Sequence, residues 1–285
     1  MVTTDGRSRV RLPDGRRLDV WQGGDPRGIP VLFFHGTPGG RLQAALGDGA
    51  ALRTGVRLVA FSRPGYGGST DAPTTLTSVA DDAAEVMRDA DVQTYAVLGV
   101  SGGGPFALAT AAVHADRVSA VAVVAGIGPA LELDAGAAER PAVRAALAGD
   151  VDRAIVLQDS ATTRNGPPGD LPSGHRPAGQ GVGFVSPEVL EPWTATGRPG
   201  VPSYRGASRD ALASSAGWDV EIARVRAPVT LWYGDHDRVV GLEHARWLHA
   251  HLPTSRLVVH EGAGHHATLM AHWADILTDL VDGSG

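Results

Sequence analysis

Cysteine is absent from these 285 residues, and so is lysine: all 25 basic residues are arginine. Without cysteine there is no disulfide framework, no thiolate nucleophile and no Cys-built metal site. That fits a cytoplasmic protein. Without lysine there is no amine for Schiff-base chemistry, which removes pyridoxal phosphate and class I aldolase-type mechanisms. A Walker-type phosphate loop is removed for the same reason. An excess of cations is missing too, since the formal net charge is −6, and this argues against nucleic acid as a partner. No apolar run approaches the length of a membrane span. Met1 to Asp19 carries Asp5, Arg7, Arg9, Arg11 and Asp14 with no apolar stretch between them, so no signal peptide is expected. What is present is enough apolar content, 43%, for a sizeable core: one large α/β domain with an insertion, or two small domains.

Short apolar runs recur along the chain. Leu12-Pro13-Asp14-Gly15-Arg16 is a turn signal inside Val10 to Val20, which reads as a hairpin. Ile29 to His35, Arg57 to Ser62, Tyr95 to Val100, Val118 to Ala125, Pro228 to Tyr233 and Arg256 to His260 read as strands buried on both faces. Helical patterns lie between them at Leu76 to Ala90, Gly102 to His114, Leu242 to His251 and Ala267 to Val281. Strands alternating with helices predict an open, mostly parallel sheet wound by helices. Between Gly126 and Trp218 the alternation breaks. Leu131 to Gln158 reads as helix, with Pro141 near a helix start. Asn165 to Pro202 is rich in Gly and Pro and has no period. This stretch reads as an insertion over the sheet.

The sharpest local pattern is Gly99-Val100-Ser101-Gly102-Gly103, a G-x-S-x-G placed after a strand and before a helix. Taken alone it is weak in a chain with 38 glycines, where a plain Gly-rich turn is the bland reading. A serine hydroxyl needs a base. Of eleven histidines, His265 and His266 sit just after the last strand, in Gly262-Ala263-Gly264-His265-His266. His114, His244, His249 and His251 read as surface or capping residues. The base needs an acid to fix its tautomer, and Tyr233-Gly234-Asp235-His236-Asp237 offers two. An oxyanion needs two aimed N–H donors. Gly102, following the serine, is one candidate. The loop His35-Gly36-Thr37-Pro38-Gly39-Gly40 offers the other at Thr37, since Pro38 has no N–H.

These pieces, with Arg63-Pro64-Gly65-Tyr66-Gly67, span nearly the whole chain in one order, and together they resemble the α/β-hydrolase superfamily in its lidded small serine hydrolases of the actinobacterial type. The resemblance implies the α/β-hydrolase fold, an eight-stranded, mostly parallel sheet with helices on both faces and an inserted cap. It implies a core over 1–127 and 217–285 and a cap over 128–216. The family's acid closes G-x-x-D, which selects Asp237, and its base follows G-x-G, which selects His265. The residue after His-Gly supplies the first oxyanion amide, which falls on Thr37. Ser62 stands where the family often has Asp, and Gly241 where Pro is common after the acid loop. Related iminopeptidases carry Trp in the elbow; Gly102 and Gly103 do not favour peptidase activity.

The expected reaction is cleavage of an ester, lactone or related acyl bond of a small molecule by Ser101, His265 and Asp237. No metal and no organic cofactor is expected. Phe184 and Trp193 are candidate substrate-binding residues in the insertion, with Tyr204 beside them and Trp218 reading as packing at its junction with the core. The alternatives are a cofactor-independent lyase, cyclase or haloperoxidase-type enzyme of secondary metabolism on the same frame, and a binding protein on a retired one.

Overall fold

A computed structural model describes residues 6–165 and 205–284. Eight strands form one sheet in the order β1-β2-β4-β3-β5-β6-β7-β8. They are β1 (Arg7–Arg11), β2 (Arg17–Gly24), β3 (Ile29–Phe34), β4 (Val56–Phe61), β5 (Tyr95–Val100), β6 (Val118–Val124), β7 (Val229–Gly234) and β8 (Ser255–His260). β2 pairs antiparallel with both β1 and β4, and every other pairing is parallel. The antiparallel start follows from the hairpin at Pro13-Asp14-Gly15, where Gly15 takes φ +89°, open to glycine without steric cost.

The helices are α1 (Asp48–Thr54), α2 (Leu76–Asp89), α3 (Gly104–Val113), α4 (Ala130–Leu133), α5 (Pro141–Leu147), α6 (Val151–Asn165), α7 (Arg205–Ser215), α8 (Leu242–His251) and α9 (His265–Asp282). The period-2 alternation of the central strands divides their side chains between two cores. Leu32 and Phe34 of β3, Val59 and Phe61 of β4 and Val97 of β5 join α2, α3 and α8 on one face. Val31, Phe33, Leu58, Ala60, Ala96 and Leu98 join α1 and α9 on the other. Strands buried on both faces must be apolar throughout, which is why these runs do not alternate with polar residues.

Two readings are corrected. Arg256 to His260 is not buried on both faces. β8 is the edge of the sheet, and its residues are half-buried or exposed. Leu131 to Gln158 is not one helix but α4, a 3₁₀ turn at Ala137–Glu139, α5 and the start of α6. Pro141 opens α5 at its first turn, where its missing N–H costs nothing. Gly149, at φ +80°, separates α5 from α6. α5, α6 and α7 share a small core of their own, Ala142, Ala154, Ile155 and Leu212, lying apart from the two sheet cores. The sheet order reverses around β3, whose neighbours are β4 and β5. Ligand crevices of open α/β sheets form at such a point, beyond the carboxyl ends of the strands.

Candidate active site

Ser101 is the first residue past β5 and takes φ +54°. A non-glycine residue held in this region costs roughly 1–3 kcal/mol and persists only where its surroundings impose it. The glycines two positions away show how they do. A Cβ on Gly99 would come within 2.7 Å of the Ala107 Cβ and the Gly103 carbonyl, and one on Gly103 within 2.3 Å of the Phe34 carbonyl. Only glycine at both positions lets the chain turn directly from β5 into the 3₁₀ turn Ser101–Gly103 and α3.

Asp237 lies in the turn after β7. Its Oδ1 accepts the backbone N–H groups of Val239 and Val240 at 2.8 and 2.9 Å. Its Oδ2 lies 2.7 Å from His265 Nδ1. That contact assigns the Nδ1 proton to the side facing the carboxylate. Nε2 is then free to accept the Ser101 hydroxyl, at 3.0 Å. Burial pushes the Asp237 carboxyl up, but the His265 hydrogen bond and charge and the two amides outweigh it. The group sits below its ordinary value of 3.8.

Asp235 is engaged elsewhere: its Oδ1 accepts the Gly262 N–H at 2.6 Å. The His266 ring lies edge-on to His265 at 5.1 Å between centroids. Loss of hydration, then the charge of His265, pushes the His266 imidazole down to about 4. His265 starts α9 directly after Gly264, which brings its ring to the carboxyl edge of the sheet. His244 has a structural contact with the segment after β6, where its Nδ1 accepts the Gly128 N–H at 2.9 Å.

The loop after β3 meets the Ser101 turn closely. A Cβ on Gly102 would lie 3.2 Å from the Thr37 nitrogen and 2.3 Å from its Oγ1. Among the described residues the Thr37 N–H has no hydrogen-bond partner. Sequence reasoning missed the support of this loop. Arg63 was recognised as part of a motif, but its carboxylate partner is Asp210 on α7, at 2.6 Å. Nothing in the local sequence marks a pair 147 positions apart.

Above Ser101 opens a cavity of about 620 Å³, lined by Thr37, Ser101, Gly102, Ile127, Val143, Leu157, Ala211 and Val240 among others. Its walls are mainly apolar. Its one cation among the described residues, Arg140, is half-exposed and paired with Asp134. Phe184 and Trp193 lie outside the described residues, as does Tyr204. Trp218 packs edge-on against Trp247 at 5.9 Å and donates its Nε1–H to the Ser214 carbonyl. Among the described residues no group of three or more His, Asp or Glu is placed to hold a metal ion. No described helix is long and apolar enough to cross a membrane.

The chain belongs to the α/β hydrolase fold family, whose model matches residues 29–270. Solved structures of similar shape include an esterase from Exiguobacterium antarcticum, at 21% identity and TM-score 0.65, covering 96% of this chain and 98% of that one. A thermophilic esterase from Thermogutta terrifontis is 19% identical with TM-score 0.64, covering 97% of both chains. A bromoperoxidase from Bacillus anthracis is 18% identical with TM-score 0.65, covering 96% of this chain and 98% of that one. At these identities the likeness is one of fold.

Proposed function

We propose that the protein is a serine hydrolase that cleaves an ester, lactone or related acyl bond of a small, largely apolar molecule. The observation that carries this reading is the hydrogen-bonded line Ser101–His265–Asp237, 3.0 and 2.7 Å long, whose Ser101 end lines the apolar cavity. In this mechanism the Ser101 oxygen attacks the carbonyl carbon as its proton passes to His265 Nε2. The carbonyl oxygen becomes an oxyanion, received by the Thr37 and Gly102 N–H groups. Collapse of the adduct expels the alcohol, which takes the proton from His265. Water then repeats the sequence on the acyl-enzyme and releases the acid. Asp237 stays ionised and steadies the imidazolium. Residues 128–216 act as a cap: α5, α6 and α7 contribute walls to the cavity, and Phe184 and Trp193 are its candidate substrate-binding residues.

Testing begins with a panel of p-nitrophenyl esters of increasing acyl length, together with lactones, assayed on wild-type, Ser101→Ala, Phe184→Ala and Trp193→Ala proteins. Ser101→Ala is expected to lower kcat by about 10³-fold or more while remaining folded. Near-wild-type turnover in that variant overturns the reading. The two cap variants are expected to reorder the preferred acyl lengths; a uniform drop that tracks a lower Tm assigns them to packing instead. A lyase or cyclase reaction on the same three residues is separated by mass spectrometry, since acyl transfer leaves an ester on Ser101; a haloperoxidase-type reaction, which passes the acyl group to hydrogen peroxide, is separated by its requirement for peroxide and halide.

A further inference from the structure

The Arg63 side chain is fully buried and Asp210 nearly so. Their hydrogen-bond partners form one cluster. Arg63 donates from Nε to Asp210 Oδ1 at 3.1 Å and from Nη2 to Asp210 Oδ2 at 2.6 Å. Its Nη1 donates to the His35 carbonyl at 2.6 Å, and Nη2 reaches the Gly36 carbonyl and the Thr37 hydroxyl, both at 3.2 Å. Asp210 Oδ2 also accepts the Thr37 hydroxyl and the Tyr66 hydroxyl, each at 2.6 Å. The guanidinium lies 4.7 Å from the centre of the Phe106 ring.

One consequence of this cluster reaches the reacting atoms. The Gly36 carbonyl is gripped by Arg63 Nη2 and by His35 Nδ1, the latter at 2.8 Å. A trans peptide is planar, so its C=O and the following N–H point in opposite directions. Fixing the Gly36 oxygen on the Arg63 side therefore aims the Thr37 N–H away from Arg63, towards the Ser101 turn. The Thr37 hydroxyl, held on Asp210, fixes the same residue at a second point. His35 stays neutral, because burial and then the Arg63 charge push its imidazole well below the ordinary value. That leaves its Nδ1 proton for Gly36, and its Nε2 accepts the Arg63 N–H at 3.2 Å.

Asp210 belongs to the insertion, not to the sheet. The helix that carries it is seated hard on the loop after β4. A Cβ on Gly206 would come within 2.4 Å of the Tyr66 ring, and one on Gly65 within 2.8 Å of the Gly206 nitrogen. Arg205 and Arg209 both pair with Asp71 of the same loop. A buried ion pair returns little net stability, because desolvating two charges offsets their attraction. What this pair supplies is orientation.

We propose that Asp210 is a positioning residue for the oxyanion site: through Arg63 and the Thr37 hydroxyl it holds the His35–Thr37 turn so that the Thr37 N–H faces Ser101. The insertion therefore completes the site as well as covering it, and the Thr37 amide is aimed only when α7 is docked. This rests on the hydrolase reading above.

The test compares Thr37→Val, Thr37→Ser, Asp210→Asn and Asp210→Glu on one activated ester, reading kcat, KM and Tm, with fluorophosphonate labelling of Ser101 as a second readout. Thr37→Val keeps the N–H and the Arg63–Asp210 pair and removes only the hydroxyl link. It is expected to lower kcat about tenfold, with KM within about twofold and an unchanged Tm, and Thr37→Ser to restore it. Asp210→Asn is expected to lower kcat by about 10²-fold, the scale of one lost oxyanion donor, with partial rescue by Asp210→Glu. Should Asp210→Asn fail to fold, Thr37→Val decides alone. Wild-type kcat in folded Thr37→Val, or a loss no larger than the fall in folded fraction, overturns the inference while leaving the hydrolase reading intact. A wild-type protein that neither turns over esters nor labels at Ser101 overturns both.

Discussion

Two buried aspartates flank Ser101, and they are held in opposite ways. Asp237 sits in a tight turn, and two of its three partners are amides two and three residues further on, Val239 and Val240. Its remaining partner, His265, can gain or lose a proton. Asp210 sits on a helix, and its partners Arg63, Tyr66 and Thr37 all come from loops 144 to 173 positions away. Its counter-charge is a guanidinium, which stays protonated at any working pH. The first carboxylate is positioned locally and is chemically responsive. The second is positioned only by tertiary docking and is electrically fixed. One arrangement suits proton transfer and the other suits holding a backbone still.

The largest break in this comparison is expected at Asp237. Replacing it with Asn leaves the turn hydrogen bonds available but lets an amide favour the wrong imidazole tautomer. We expect Asp237→Asn to lower kcat by about 10²- to 10⁴-fold, and Asp235→Asn, whose carboxylate braces Gly262, to lower it by less than about tenfold. Steady-state kinetics on one activated ester decides the matter. If the Asp235 variant is the inactive one, the acid has been misplaced by two positions.

Stability should invert the order. Arg63→Met strands Asp210 as a buried, unpaired carboxylate, and loss of one partner of such a pair costs about 3–5 kcal/mol. Asp237→Asn leaves a histidine that can remain neutral, a loss of about 1–3 kcal/mol. Urea unfolding of both variants measures the difference; equal losses would erase the distinction between the two aspartates.

The smallest effect lies on the acid limb. Asp237 has a folded pKa below its unfolded value, so its stabilising contribution is complete above the ordinary value of 3.8 and is lost as pH falls through the folded value. The gap in unfolding free energy between wild type and Asp237→Asn should therefore narrow as pH drops below about 4. A gap that stays constant down to pH 2 would mean that the carboxylate is not stabilised in the folded state.

Much of the fold was legible because the forces that set it act over a few residues. A strand buried on both faces must be an unbroken apolar run, and Val31 to Phe34 and Tyr95 to Val100 show it. Gly99 and Gly103 announce a turn too tight for any Cβ, and Pro141 announces a helix start. The exposed edge at β8 was not legible, because a strand's position in the sheet depends on which neighbours it has, not on its own residues. The breaks between α4, α5 and α6 were obscured by a run of alanines that fits a helix anywhere.

By itself, then, the sequence determined the order of strands and helices, the strained serine turn and the residues able to serve as base and acid, since steric demand and residue chemistry are local. The motif resemblance had already selected Asp237 over Asp235, and His265 meets Asp237; only the tertiary structure decided that Arg63 and Asp210 meet beneath the Thr37 loop. A carboxylate specifies no partner along the chain; its partner is whichever donor packing brings within about 3 Å, and for Asp210 that distance exists only once α7 is seated on the loop after β4.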